Sequence, residues 1–199
     1  MAGAFPISTA KFQSLGIKSI QNTIISKTVS GKKLARQIDG QRWSFTARVI
    51  TAKRSDVYGE LMAFIIKQRS GKENFTIVPP EVEDARGTAS GTPNGTASAG
   101  ATSITLGGSG TGTLKAGDFI KFDNHDKVYM VVADQSDIST GSLTIEPPLT
   151  TAVSSSDITY DNVPFTVYLT NDIQEFGVVG ADKDGNALYQ FEFDVEEAL

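Results

Sequence analysis

A chain of 199 residues with 39% hydrophobic residues can bury the core of one large domain or two small ones, so a globular fold is expected. The absence of cysteine excludes disulfide frameworks, thiolate zinc sites and cysteine nucleophiles, and leaves the redox compartment open. The net charge of −5 conceals a polarised chain: residues 1–80 hold 13 Lys and Arg against 4 Asp and Glu, net +9, and residues 81–199 hold 5 against 19, net −14.

The opening, MAGAFPISTAKFQSLG, lacks the charged start and apolar run of a signal peptide. No segment approaches the roughly 20 apolar residues of a membrane span, so a protein made without export and without a membrane partner is expected. The basic half could mark a nucleic-acid face, but such faces cluster their cations among stacking aromatics. Here the cations are spaced along apparent strands. That spacing reads as the outward positions of a half-polar sheet, or as a basic face that meets the acidic half of a neighbouring copy head to tail.

In chain order, strands are predicted at Gln21–Thr28, Lys33–Ile38 and Arg42–Thr51, with turns at Ser30-Gly31 and Asp39-Gly40. In the third strand Trp43, Phe45, Ala47 and Val49 share one face, and Arg42, Ser44, Thr46 and Arg48 share the other. The period then becomes helical. Ser55 is the expected N-cap, Tyr58, Leu61, Met62, Ile65 and Ile66 form the apolar stripe, and Ser70-Gly71 ends it. NFTIV, 74–78, is a strand closed by Pro79-Pro80, which cannot donate ladder hydrogen bonds.

From Glu81 the composition turns to Gly, Ser, Thr and Ala, with GTAS at Gly87 and again at Gly95. This predicts a flexible connector leading into a second module. Strands at Asp118–Phe122 and Lys127–Ala133, then GSLTIEPPL and SDITY, predict a small barrel or sandwich. The remaining strands are Phe165–Leu169, one near Gln174–Val179, and Ala187–Val195, the last two joined by an Asp184-Gly185 hairpin turn. They either complete the sheet begun before Pro79, making the middle module an insertion, or form a second consecutive domain, since short sequential strands pair locally by default.

Three groups of residues carry potential chemistry. Asp123, Asn124, His125 and Asp126 have the residue types of a metal site, but adjacent residues on a strand end point to opposite sides, and no other histidine exists to help. A hairpin turn that continues into Lys127 is the simpler expectation. Gly107–Gly117, GGSGTGTLKAG, resembles a phosphate loop only loosely: Lys115 lies between Leu114 and Ala116, so the Lys-Ser/Thr pair of GxxxxGK[ST] is missing. A mobile connector is expected instead. Glu192, Asp194, Glu196 and Glu197 suggest a glycosidase pair, yet nothing marks a second carboxylate across a cleft, and a solvated face is expected. No GxSxG surrounds a serine. Trp43 reads as core rather than as a sugar platform. No catalytic residue, cofactor or metal ligand is therefore assigned.

The run RQIDGQRWSFTARVITAKRSDVYGELMAFIIKQRSGKENFTIVPP resembles the N-terminal part of tailed-bacteriophage tail proteins of the distal tail and tail-tube superfamily. There a strand with a central tryptophan, one helix ending in Gly and an aromatic strand closed by proline follow one another. LKAGDFIKFDNHDKVYMVVADQSDISTGSLTIEPPLTTAVSSSDI looks like the β modules inserted in such proteins, and FTVYLTNDIQEFGVVGADKDGNALYQFEFDVEEAL like their closing hairpin and acidic terminus. Each motif is short. The resemblance implies a mainly β, tail-tube-like β-sandwich with one amphipathic helix, built from residues 1–80 and 163–199, with residues 81–162 as an inserted small all-β module with its Gly/Ser/Thr-rich connector.

It also implies a structural virion protein and no enzyme: a ring component, usually hexameric, at the junction of tail tube and baseplate, assembled in the host cytoplasm. Its partners would be copies of itself, the tail tube and the hub, with DNA passing through the lumen without sequence-specific binding. Long strands leave edges that a ring can consume by pairing, and carboxylates of the C-terminal half would keep DNA from sticking to the lumen. Two other classes remain: a soluble carbohydrate-binding or adhesion module in which residues 81–162 bind, and a hydrolase with a site that depends on His125 or the terminal carboxylates.

Overall fold

The computed structural model describes residues 3–6, 12–38 and 40–199. In chain order its first strands are β1 (Phe12–Ile20), β2 (Thr23–Lys27), β3 (Lys33–Gln37), β4 (Arg42–Val49) and β5 (Ala52–Lys53). Helix α1 (Gly59–Lys67) and β6 (Phe75–Ile77) follow. Next come β7 (Pro93–Ala97), β8 (Ser103–Gly108), β9 (Phe119–Phe122), β10 (Val128–Val131), β11 (Ser142–Glu146) and β12 (Val153–Thr159). The chain ends with β13 (Phe165–Leu169), β14 (Gly177–Ala181), β15 (Ala187–Gln190) and β16 (Glu192–Glu197). The fold is mainly β with one α-helix and several sheets, as the sequence led us to expect.

The largest sheet has the order β1-β4-β16-β13-β6, every neighbour antiparallel. Its core face follows from the period of two along each strand. On β4, Trp43, Phe45, Ala47 and Val49 are buried while Arg42, Ser44, Thr46 and Arg48 look outward. On β16 the inward set is Phe193, Val195 and Glu197. β1, which lay outside the predicted strands, pairs along β4 from Ile20 opposite Arg42 to Phe12 opposite Val49.

The helix starts later than the pattern indicates. Residues 54–58 form a wider, irregular turn in which Asp56 leaves helical geometry (φ −93°, ψ −125°), so Ser55 caps nothing and α1 begins at Gly59. Tyr58, Leu61 and Ile65 are buried as expected, but Ile66 is exposed. The helix closes where Arg69 and Ser70 adopt positive φ, and Gly71 then runs so close to β13 that a Cβ there would lie 2.6 Å from the Leu169 carbonyl oxygen.

Six strands close into a barrel in the order β10-β11-β8-β7-β12-β9. This corrects the expectation for the Gly/Ser/Thr-rich stretch, which is no mobile connector: residues 93–97 and 103–108 pair as a barrel hairpin. Small residues are used because the closure leaves no room for larger ones. A Cβ on Gly95 would lie 2.7 Å from Ile104 Cγ2 and 2.8 Å from Phe122 Cε1, and one on Gly87 only 1.9 Å from the Thr113 carbonyl oxygen. Both GTAS repeats thus begin at a point of close approach. Ile104, Ile120, Phe122, Tyr129, Leu143 and Ile145 fill the barrel.

The end of the chain differs from the single strand predicted at Ala187–Val195. It breaks at Phe191: β15 joins β14 and β5 in a three-stranded sheet, and β16 crosses into the large sheet between β4 and β13. The strand predicted near Gln174–Val179 begins only at Gly177. Of the predicted turns, Ser30-Gly31 is present, with the Gly31 N–H donating to the Thr28 carbonyl, and Asp184-Gly185 is held by Asp182 Oδ1, which accepts from the Asp184 and Asn186 N–H groups. Asp39 of the Asp39-Gly40 turn lies outside the described residues.

Candidate assembly surfaces

The DNHDK segment joins β9 to β10, and its polar side chains are spent on holding that turn. Asn124 Nδ2 donates to the Ala152 carbonyl (2.9 Å), which turns its Oδ1 toward His125 Nδ1 (2.7 Å). Nδ1 therefore carries the proton, and Nε2 accepts from the Tyr129 hydroxyl (2.7 Å). His125 also stacks on Phe122 with ring centroids 5.9 Å apart. Burial first, and the Lys121 ammonium second, hold the imidazole below its usual pKa. Asp126 is ion-paired to Lys121 at 2.7 Å, and this pairing holds its carboxyl below the usual range. Among the described residues, no group of three or more His, Asp and Glu is arranged to hold a metal ion.

Lys127, expected in the solvated turn, is buried instead. Its ammonium donates to the Gln41 carbonyl (2.8 Å), to Gln41 Oε1 (2.7 Å) and to Glu197 Oε2 (2.5 Å). Glu197 also accepts from the Trp43 N–H (3.2 Å) and the Val128 N–H (2.9 Å). Trp43 Nε1 donates back to the Val128 carbonyl at 2.9 Å. The start of β4, the start of β10 and the end of β16 are thereby stapled together. Desolvation pushes the Glu197 carboxyl up and the Lys127 ammonium down, while each partner opposes the other's shift. Trp43 and Phe165 continue the contact through Phe119, with centroids 5.1 and 5.9 Å away.

This corrects the reading of Glu197 as one of four carboxylates on an open face. The inward alternation Phe193, Val195 continues one step to Glu197, a signal that was present in the strand period. The other three do look outward, and each is engaged. Glu192 accepts from Arg48 Nε (2.8 Å) and Nη2 (2.5 Å), Glu196 pairs with Arg42 (3.0 Å), and Asp194 accepts from the Thr46 hydroxyl (2.7 Å). They form a ladder across β4 and β16. Lys115 is likewise occupied: it pairs with Asp134 at 2.9 Å, and buried Asp118 accepts from the Lys115 and Arg86 N–H groups. The 107–117 segment is built into the barrel rather than open to a phosphate.

Apolar surface left uncovered lies elsewhere. β2 and β3 form a two-stranded sheet joined to no other among the described residues, exposed over its whole length. One face carries Ile24, Leu34 and Arg36, and the other carries Ile25, Lys27, Lys33 and Ala35. Val29 at the tip is fully exposed, and Ile38 at the base is 60% exposed. A lone hairpin of this kind is marginal in water. β14 exposes Val178 and Val179, and Ile173 precedes it.

Residues 83–163 match the family described as distal tail protein pb9, B domain. No curated protein matches the chain. The matched segment spans the whole barrel, whose strands run from Pro93 to Thr159. The match falls on the middle stretch that resembles the β modules inserted in tail proteins; it makes this segment similar to part of a bacteriophage distal tail protein and supports a structural component of the virion tail.

Proposed function

We propose that the protein is a ring-forming component, hexameric as the resemblance implies, at the junction of tail tube and baseplate, where it adapts the tube to the hub and contributes part of the DNA channel. The observation that carries this reading is the matched B-domain barrel set between strands of one sheet: β6 precedes the barrel, β13 follows it, and the two pair with each other. In this reading residues 1–80 and 163–199 are the ring-forming domain, and residues 81–162 are the inserted module, which contacts a neighbouring tail protein. Assembly takes place in the host cytoplasm.

The outward face of β4 and β16 suits a channel wall. Its two arginines, Arg42 and Arg48, are held by Glu196 and Glu192. Cations so engaged offer less to a passing phosphate backbone, whose affinity for protein depends on lysine and arginine neutralising it. In this role the carboxylates and the histidine hold strands and a turn.

Native mass spectrometry and negative-stain electron microscopy of the purified protein test the proposal. Closed rings of six copies are the expected result. A protein that stays monomeric at concentrations of tens of micromolar, and that antibody labelling fails to find at the tail tip of its parent particle, overturns it.

A further inference from the structure

We propose that Lys127, Gln41 and Glu197 make up a self-modifying site in which Lys127 Nζ displaces ammonia from the Gln41 side chain, leaving an isopeptide bond between the barrel and the large sheet. The inference stands on the geometry of this cluster and is independent of the ring reading above. Amide exchange needs an amine nucleophile, a carboxamide and a group that carries protons between them. All three are buried here: Gln41 and Lys127 are 2% exposed and Glu197 is 1% exposed.

Lys127 Nζ lies 2.7 Å from Gln41 Oε1 and 2.5 Å from Glu197 Oε2. A C=O bond of about 1.23 Å then puts the Gln41 side-chain carbonyl carbon within about 3.9 Å of Nζ. That is a short movement from the roughly 3–3.5 Å of atoms poised to react. The partners are held in place: Nζ also donates to the Gln41 main-chain carbonyl, and Glu197 accepts from the Trp43 and Val128 N–H groups. Desolvation pushes the Lys127 ammonium down and the Glu197 carboxyl up, which favours passing the proton to the carboxylate and freeing the Nζ lone pair. Closure against water leaves the amine as the nucleophile, so exchange is favoured over hydrolysis. The departing nitrogen, Gln41 Nε2, donates to Ser19 Oγ at 3.0 Å. Ser19 and Gln41 both line a depression of about 220 Å³, a way out for ammonia.

The step balances without a cofactor or oxidant. The Nζ lone pair attacks the Gln41 carbonyl carbon as the Glu197 proton moves to Oε1, and the new carboxylate takes a proton from Nζ and gives it to Nε2. The bond between the carbonyl carbon and Nε2 breaks, ammonia leaves, and the Oε1 proton returns to Glu197 as the carbonyl reforms. One amine and one primary amide become one secondary amide and ammonia, with Glu197 regenerated. The product ties the start of β10 to the residue before β4, 86 positions away in the chain.

Mass spectrometry of the purified full-length protein tests this. The wild type is expected to weigh less than its sequence by one ammonia. An amide on Lys127 blocks trypsin there, so the digest is expected to contain a branched species in which residues 37–42 are linked to residues 122–183. The Lys127→Met/Glu197→Leu variant, which replaces the pair by apolar side chains, is expected to show its full mass and no branched species. A wild-type protein that is folded by circular dichroism and keeps its full mass on prolonged incubation overturns the proposal and leaves Gln41 a hydrogen-bond partner only. A mass deficit without the branched species, or one that persists in the double variant, overturns it as well.

Discussion

Lys127 and Glu197 are 70 residues apart in sequence and among the least exposed charged residues described, with side chains 1% and 0% exposed. Removing one partner of such a pair leaves a buried charge without its counterion and costs about 3–5 kcal/mol, whereas replacing both by apolar side chains costs far less. Urea denaturation is therefore expected to show a large loss for Lys127→Met or Glu197→Gln and a loss well below their sum for Lys127→Met/Glu197→Leu. His125 gives a second test. Its folded pKa lies below the ordinary value of about 6.5, so between the two values the unfolded chain binds more protons than the folded one. Stability contributed there is present above about pH 6.5 and declines as pH falls toward the folded value. Thermal midpoints at about pH 7.5 and pH 5 should differ less in His125→Gln than in wild type. The turn around His125 was legible from the sequence because Asp and Asn favour turns. The burial of Lys127 was not, because nothing local distinguishes a lysine that leaves a turn into water from one that enters a core.

At the scale of elements, the alternation on β4 and the apolar set of Tyr58, Leu61 and Ile65 read correctly from the period alone. β7 and β8 did not. Their sequences, PNGTA and SITLGG, have the composition of a linker, and strand propensity is a statement about packing against neighbours that the local sequence does not name. Gly95 tests the tight closure. Gly95→Ala drives a methyl group to within 2.8 Å of Ile104 and Phe122 and is expected to cost about 1–3 kcal/mol by overpacking. Hydrogen exchange should show the loss in β7, β8 and β9, while β4 and β16 remain protected.

At the scale of the molecule, the chain builds two hydrophobic clusters, one under the large sheet and one inside the barrel. Among the described residues the barrel's strands pair only with one another, so a fragment of residues 83–163 is expected to fold alone, with dispersed amide resonances by NMR. Val128, Phe119 and Met130 nevertheless pack against the first cluster, and the Lys127–Glu197 staple fixes the barrel beside it. β16 lies between β4 and β13. Truncation after Phe191 is expected to separate the large sheet into two pairs of strands and to abolish its cooperative unfolding, followed by circular dichroism.

The sequence alone determined the class of the fold, the inward face of β4 and the single helix, because periodicity and segment order are written residue by residue. The tertiary structure alone decided that β16 enters the middle of a sheet begun more than 140 residues earlier, that low-complexity segments close a barrel, and that Lys127 finds Glu197. Each of these depends on which distant surfaces come together, and pairing energies between distant strands leave no mark in the local pattern of either one.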